Sequence, residues 1–70
     1  MITLVNGGIY ECENGDIVKV RRNNLPYYCF SAIYIQYAGE SIQRESSEKW
    51  TAEGVAYHDD CGCNILKQIA

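Results

Sequence analysis

Tyr27-Tyr28-Cys29-Phe30-Ser31-Ala32-Ile33-Tyr34-Ile35-Gln36-Tyr37 holds four of the chain's six tyrosines, its single phenylalanine and no charge. Aromatic and β-branched residues suit a pleated, half-buried surface, and no apolar stripe recurs here at helical spacing. The stretch is therefore expected to be the central strand of an all-β domain. Alternation assigns Tyr28, Phe30, Ala32, Tyr34 and Gln36 to one face, and Cys29, Ser31, Ile33, Ile35 and Tyr37 to the other. Both faces are mostly apolar, so cover on both sides is expected.

Upstream of this strand, Ile9 to Cys12 and Asp16 to Arg22 flank Glu13-Asn14-Gly15. Asn-Gly between two alternating runs is a strong hairpin signal. In the second arm Val18 and Val20 face one way and Lys19 and Arg21 the other. Ile2 to Val5 reads as a short apolar lead-in that packs on the barrel. Asn23-Asn24-Leu25-Pro26 is a loop, because proline lacks an N–H and holds Leu25 extended. Downstream, Ala38-Gly39-Glu40 is a turn, Ser41 to Arg44 offers an antiparallel return, and Glu45 to Lys49 is a polar loop. Trp50-Thr51-Ala52 and Val55-Ala56-Tyr57 flank a turn at Glu53-Gly54. Asn64 to Ile69 closes the chain, with Ile65 and Ile69 inward. Short strands between turn signals predict one domain over residues 1–70, a small SH3-like barrel or roll of five to six antiparallel strands. The alternative is a β-rich α+β fold with a short helix within 39–49.

Seventy residues bury only about 60% of their unfolded surface, which leaves little room for a deep active site. The hydrophobic fraction of 47% argues against disorder. A net charge of −3 gives no general attraction to nucleic acid or anionic membrane. The N-terminus has neither a basic region nor a long apolar run, so a cytoplasmic protein is expected, with no spanning segment and with its four cysteines not assumed to pair.

Gly8-Ile9-Tyr10, then Asn14-Gly15, then Trp50-Thr51-Ala52-Glu53-Gly54 with Tyr57 and a closing Asn64-Ile65-Leu66 form a recognisable pattern. It resembles small phage and prophage proteins of uncharacterised function that open with Gly-x-Tyr-x-x-x-x-Gly and carry a late Trp-x-x-x-Gly segment. Tyr57 falls one residue later than that pattern, and Cys61-Gly62-Cys63 is not part of it. The resemblance implies an SH3-like barrel and a non-enzymatic accessory role, modulating a host protein or complex such as a defence system, in the host cytosol.

Four groups of residues are candidates for function. The tyrosine surplus favours a protein–protein surface made of Tyr27, Tyr28, Tyr37 and Trp50 with an acidic rim of Glu40, Glu45 and Glu48, the partner being a host protein or, as a second option, another copy of the chain. Lys19, Arg21 and Arg22, with Tyr27 and Tyr28 behind them, form the alternative, a nucleic-acid face partly cancelled by Glu11, Glu13 and Asp16. Cys12, Cys29, Cys61, Cys63 and His58 supply enough ligands for a zinc-stabilised domain. Their one close pair is Cys61-x-Cys63, whereas zinc sites usually use Cys-x2–4-Cys. His58, Asp59 and Cys61 contain the residue types of a thiol nucleophile with its base and orienting group. No catalytic residue and no cofactor is assigned.

Overall fold

The hairpin at Asn14-Gly15 sets the register of the sheet. Strand β1 (Ile9–Cys12) pairs antiparallel with β2 (Ile17–Arg22), with Tyr10 opposite Val18. Gly15 donates its N–H to the Cys12 carbonyl at 2.9 Å, and the Cys12 N–H bonds the Asp16 carbonyl at 2.8 Å. Gly15 has φ 93°, while no residue other than glycine has positive φ among those described. This is a three-residue hairpin loop that ends on a left-handed glycine, so Asn14 does not need that conformation itself.

The computed structural model describes residues 2–58 and 62–70. Strands β3 (Phe30–Gln36), β4 (Lys49–Trp50) and β5 (Ile65–Gln68) complete an all-β domain. The five antiparallel strands lie in the order β4-β3-β2-β1-β5 and curl into a half-barrel. The described residues contain no helix, and the segment 39–49, where a short helix was the alternative, is irregular backbone with a turn at Gly39 and one bridge at Arg44 before β4 begins. There Ile35 and Arg44 exchange backbone bonds of 2.9 and 2.7 Å, a single bridge where a longer return was expected. No helix of the described residues is long and apolar enough to cross a membrane.

Alternation places the core on β1 and β2, where Tyr10, Cys12, Val18 and Val20 are buried and Lys19 and Arg21 point outward. Strand β3 departs from it. Lys19 pairs with Tyr34 but Val20 pairs with Ala32, so Ile33 is an extra residue without a partner on β2. A bulge of this kind reverses the parity of the strand. Phe30 and Ile35 therefore both enter the core, although strict alternation put them on opposite faces, and Ile33 is 45% exposed.

The half-barrel is drawn together where the segment after β4 meets the approach to β5. Ile65 N–H bonds the Gly54 carbonyl at 2.8 Å, Ala56 N–H bonds Asn64 Oδ1 at 2.8 Å, and Trp50 Nε1–H donates to the Cys63 carbonyl at 2.8 Å. Gly54 has φ 87°, and a Cβ there would lie 2.7 Å from Ile65 Cβ, so neither the conformation nor the space admits a side chain. The lead-in docks as expected. Leu4 is buried, its N–H bonds the Ala52 carbonyl at 2.7 Å, and the Val5 N–H bonds the Tyr10 hydroxyl at 2.7 Å. Burying Phe30, Val18 and Val20 stabilises the fold by roughly 1.5–3 kcal/mol each. Ile69, expected inward, is exposed.

Candidate interaction surface

One polar side chain shapes the loop before β3. Asn23 donates from Nδ2 to the Tyr28 carbonyl at 3.0 Å and to Ser31 Oγ at 2.6 Å, and its Oδ1 accepts from Leu25 N–H at 2.7 Å. Its backbone N–H bonds the Cys29 carbonyl at 2.8 Å. Asparagine is suited to this, because its amide replaces the bonds that a strand ladder would otherwise supply. With Pro26 fixing its own φ, the loop holds Leu25, Tyr27 and Tyr28 outside the core.

These side chains meet the segment that follows β4. The Tyr27 and Tyr28 rings lie 4.9 Å apart at 89°, Tyr28 and Tyr57 lie 5.1 Å apart at 80°, and Tyr57 and His58 lie 5.1 Å apart at 81°. Each is an edge-to-face contact worth about 0.5–1.5 kcal/mol beyond area burial. The string still leaves Tyr27 66% and Tyr57 59% exposed. Leu25, Pro26, Tyr27, Tyr28, Lys49 and Tyr57 together line an apolar hollow of about 300 Å³.

A second hollow, about 370 Å³, is lined by Glu48 and His58, and the contact between the His58 and Tyr57 rings connects it to the first. Asp16 and Glu48, only 5% and 6% exposed, form part of its wall with Asn14, Ser46, Ser47 and Tyr37. Asp16 Oδ1 accepts the Ala38 N–H at 2.9 Å and Oδ2 accepts Asn14 Nδ2 at 3.1 Å. Glu48 Oε1 accepts the Lys49 N–H at 2.9 Å and the His58 N–H at 3.3 Å, and its Oε2 lies 3.0 Å from His58 Nδ1. Both carboxylates are therefore held in place by backbone donors.

The expected contact residues divide. Tyr27 and Tyr28 belong to the aromatic string, and Tyr37 lies at the second hollow. Trp50 is a correction. It has no exposed surface, because its large ring fills the core and its N–H is satisfied by Cys63. Glu48 is another, being a buried partner of His58 and not a solvated rim residue. Glu40 and Glu45 are exposed, and Glu40 pairs with Arg44 at 2.9 Å. Tyr57 was not among the expected contacts, although its place behind the Gly54 turn marked it as the end of a short strand pair.

On the outer face of the sheet, Lys19 lies opposite Tyr34 and Ile9. Arg22, in phase with Val18 and Val20 and paired with Phe30, leaves that face and sets its guanidinium 5.0 Å over the buried Phe30 ring, so the three basic residues do not share one surface. Asp16, expected to offset this charge, is turned inward to Ala38, while Glu11 pairs with Lys67 at 3.4 Å. Tyr27 and Tyr28 turn toward Tyr57.

The cysteines do not act as a set. Cys12 is buried in the core and free, Cys29 is free and half-buried, and Cys63, whose pairing the sequence left open, is disulfide-bonded. Burial, then the charges of Asp16 and Glu48, push the Cys12 thiol up to about 12, so it is neither an available thiolate ligand nor a nucleophile near neutral pH. The Cys61 and Asp59 roles lie outside the described residues. A scan against protein-family models found no match, and neither the curated proteins nor the solved structures compared with the chain match it.

Proposed function

We propose that this chain is a non-enzymatic accessory domain that binds another protein through the surface formed by Tyr27, Tyr28 and Tyr57. The observation that carries this reading is the exposed string of edge-to-face rings around an apolar hollow, built on a loop that Asn23 organises. Contiguous exposed apolar surface with a polar rim is characteristic of interaction sites. Tyrosine contributes rigid contact area at low entropic cost and is enriched among residues that dominate binding energy. The sequence resemblance to phage and prophage proteins makes a host protein or complex, including one of a defence system, the class of partner.

A nucleic-acid reading draws on Lys19, Arg21 and Arg22, and is favoured by one observation, the withdrawal of Asp16 from that face. Both readings meet the same test. The full chain is immobilised and exposed to nuclease-treated and untreated lysate of its native host, with Tyr27→Ala/Tyr57→Ala in parallel. The expected result is one stoichiometric protein that survives nuclease and is lost with the double variant, which stays folded by circular dichroism at the temperature of the capture. Recovery that disappears with nuclease overturns the proposal in favour of nucleic acid. Capture that the double variant retains removes these tyrosines from the interface.

A further inference from the structure

The hollow beside the tyrosines is lined by two carboxylates, by His58, whose Nδ1 lies 3.0 Å from Glu48 Oε2, and, among the described residues, by no lysine or arginine. Asp16 and Glu48 are held there by backbone and side-chain donors, so their charges keep a fixed position. Anions in a partly enclosed, low-dielectric hollow attract a cation more strongly than the same groups in open water. The half-exposed Tyr37 ring and the Ser46 and Ser47 residues add an aromatic face and polar groups to the same hollow.

We propose that the surface takes a short extended segment of a partner protein, setting a lysine or arginine side chain beside Asp16, Glu48 and Tyr37 and an apolar side chain among Tyr27, Tyr28 and Tyr57. This names the chemistry of the partner for the binding function proposed above, and it rests on that function. Three features fix the arrangement. The hollows are near each other, because the Tyr57 ring, which lines one, lies 5.1 Å from the His58 ring, which lines the other. An extended peptide advances roughly 3.3–3.6 Å per residue, so a few residues span both. Lys49 lines the tyrosine hollow and its Nζ donates to the Ser47 carbonyl at 3.3 Å, which places the ammonium at the boundary of the two hollows. The carboxylates draw the basic side chain to one hollow and the tyrosine rings take the apolar side chain in the other. A nucleic-acid strand would bring its phosphates against Asp16 and Glu48.

The probe is a ribosome-displayed library of random peptides selected on the immobilised full chain. The enriched sequences are expected to place Lys or Arg within about four residues of Leu, Pro or an aromatic. The best of them, resynthesised with fluorescein, is expected to lose about tenfold or more in affinity when its basic residue becomes citrulline or norleucine. It should lose a similar factor against Glu48→Gln, and should bind less well as salt rises. The change on the peptide leaves the protein untouched, so a fold disturbed by Glu48→Gln cannot account for it. Enriched peptides without a basic residue, or indifference to the neutral replacement, overturn the cation site while leaving the tyrosine surface if Tyr27→Ala still abolishes binding. Binding that survives Tyr27→Ala/Tyr57→Ala, or no enrichment at all, overturns both proposals. Fluorescein-labelled oligothymidine that binds and is lost with Glu48→Gln and Tyr57→Ala overturns the proposal in favour of nucleic acid.

Discussion

Trp50, Phe30 and Tyr10 have no exposed surface, whereas Tyr27 and Tyr57 are mostly exposed, yet all five are large aromatics drawn from the same short chain. In the first group each polar atom finds a partner inside. Trp50 donates to Cys63, and the Tyr10 hydroxyl accepts from Val5, which lets a ring with a polar end be buried without an orphaned atom. In the second group the rings lean on one another at a loop and a turn, and their faces remain open to a partner. The difference teaches that aromatic surplus alone does not locate a binding surface. The backbone element that carries each ring does.

Substitution should separate the two groups widely. Trp50→Ala is expected to cost about 3–5 kcal/mol, enough to unfold most of a domain this small, read from urea unfolding. Gly54→Ala is expected to cost about 3 kcal/mol, because the added Cβ meets Ile65 while φ stays positive. A thermal midpoint unchanged by that substitution would show that the contact closing the half-barrel is not needed. Tyr27→Ala is expected to cost about 0.5–1.5 kcal/mol and Tyr57→Ala about 1–3 kcal/mol, because the first loses one edge contact and the second two. A cost near that of Trp50→Ala would place them in the core group and erase the contrast.

Between these extremes lies the buried thiol. The Cys12 pKa in the folded chain, about 12, is above its ordinary 9.0, so the folded state keeps a proton that the unfolded state releases. Its stabilising contribution is complete below pH 9 and is lost as pH rises toward 12, at up to about 1.4 kcal/mol per pH unit. Denaturant unfolding of the parent between about pH 8.5 and 10.5 should therefore lose about 2 kcal/mol more than the same series on Cys12→Ala.

Much of the fold was legible in the sequence. The β1–β2 hairpin followed from Asn14-Gly15 and from Val18 and Val20, because a turn signal and a period-two pattern pointed to the same register. The bulge at Ile33 was not legible. Ile33, Tyr34 and Ile35 are all acceptable on either face, so parity is decided by how β2 and β3 pair and not by their own composition. The same limit applied to the surface. Tyr27 and Tyr28 were singled out by the tyrosine surplus, although the sequence put them in the central strand and the structure puts them in the loop before it. Tyr57 was not, since Tyr28 becomes its neighbour only after the chain has folded back. Trp50 and Glu48 were misplaced for the converse reason. Burial depended on the Cys63 carbonyl and on the Lys49 and His58 amides, partners that no local pattern reveals.

The bond from Leu4 to Ala52 has a consequence in time. The β1–β2–β3 meander joins neighbours in sequence and closes short loops, so it can form early. The seat of Leu4 does not exist until β4 and the turn after it have packed, far along the chain. Contacts of that reach are made late, beyond the folding barrier. Leu4→Ala is therefore expected to quicken unfolding several-fold while leaving the refolding rate nearly unchanged in stopped-flow denaturant jumps. The first residues of the chain would thus act as a latch, setting how long the folded state lasts and not how quickly it is reached.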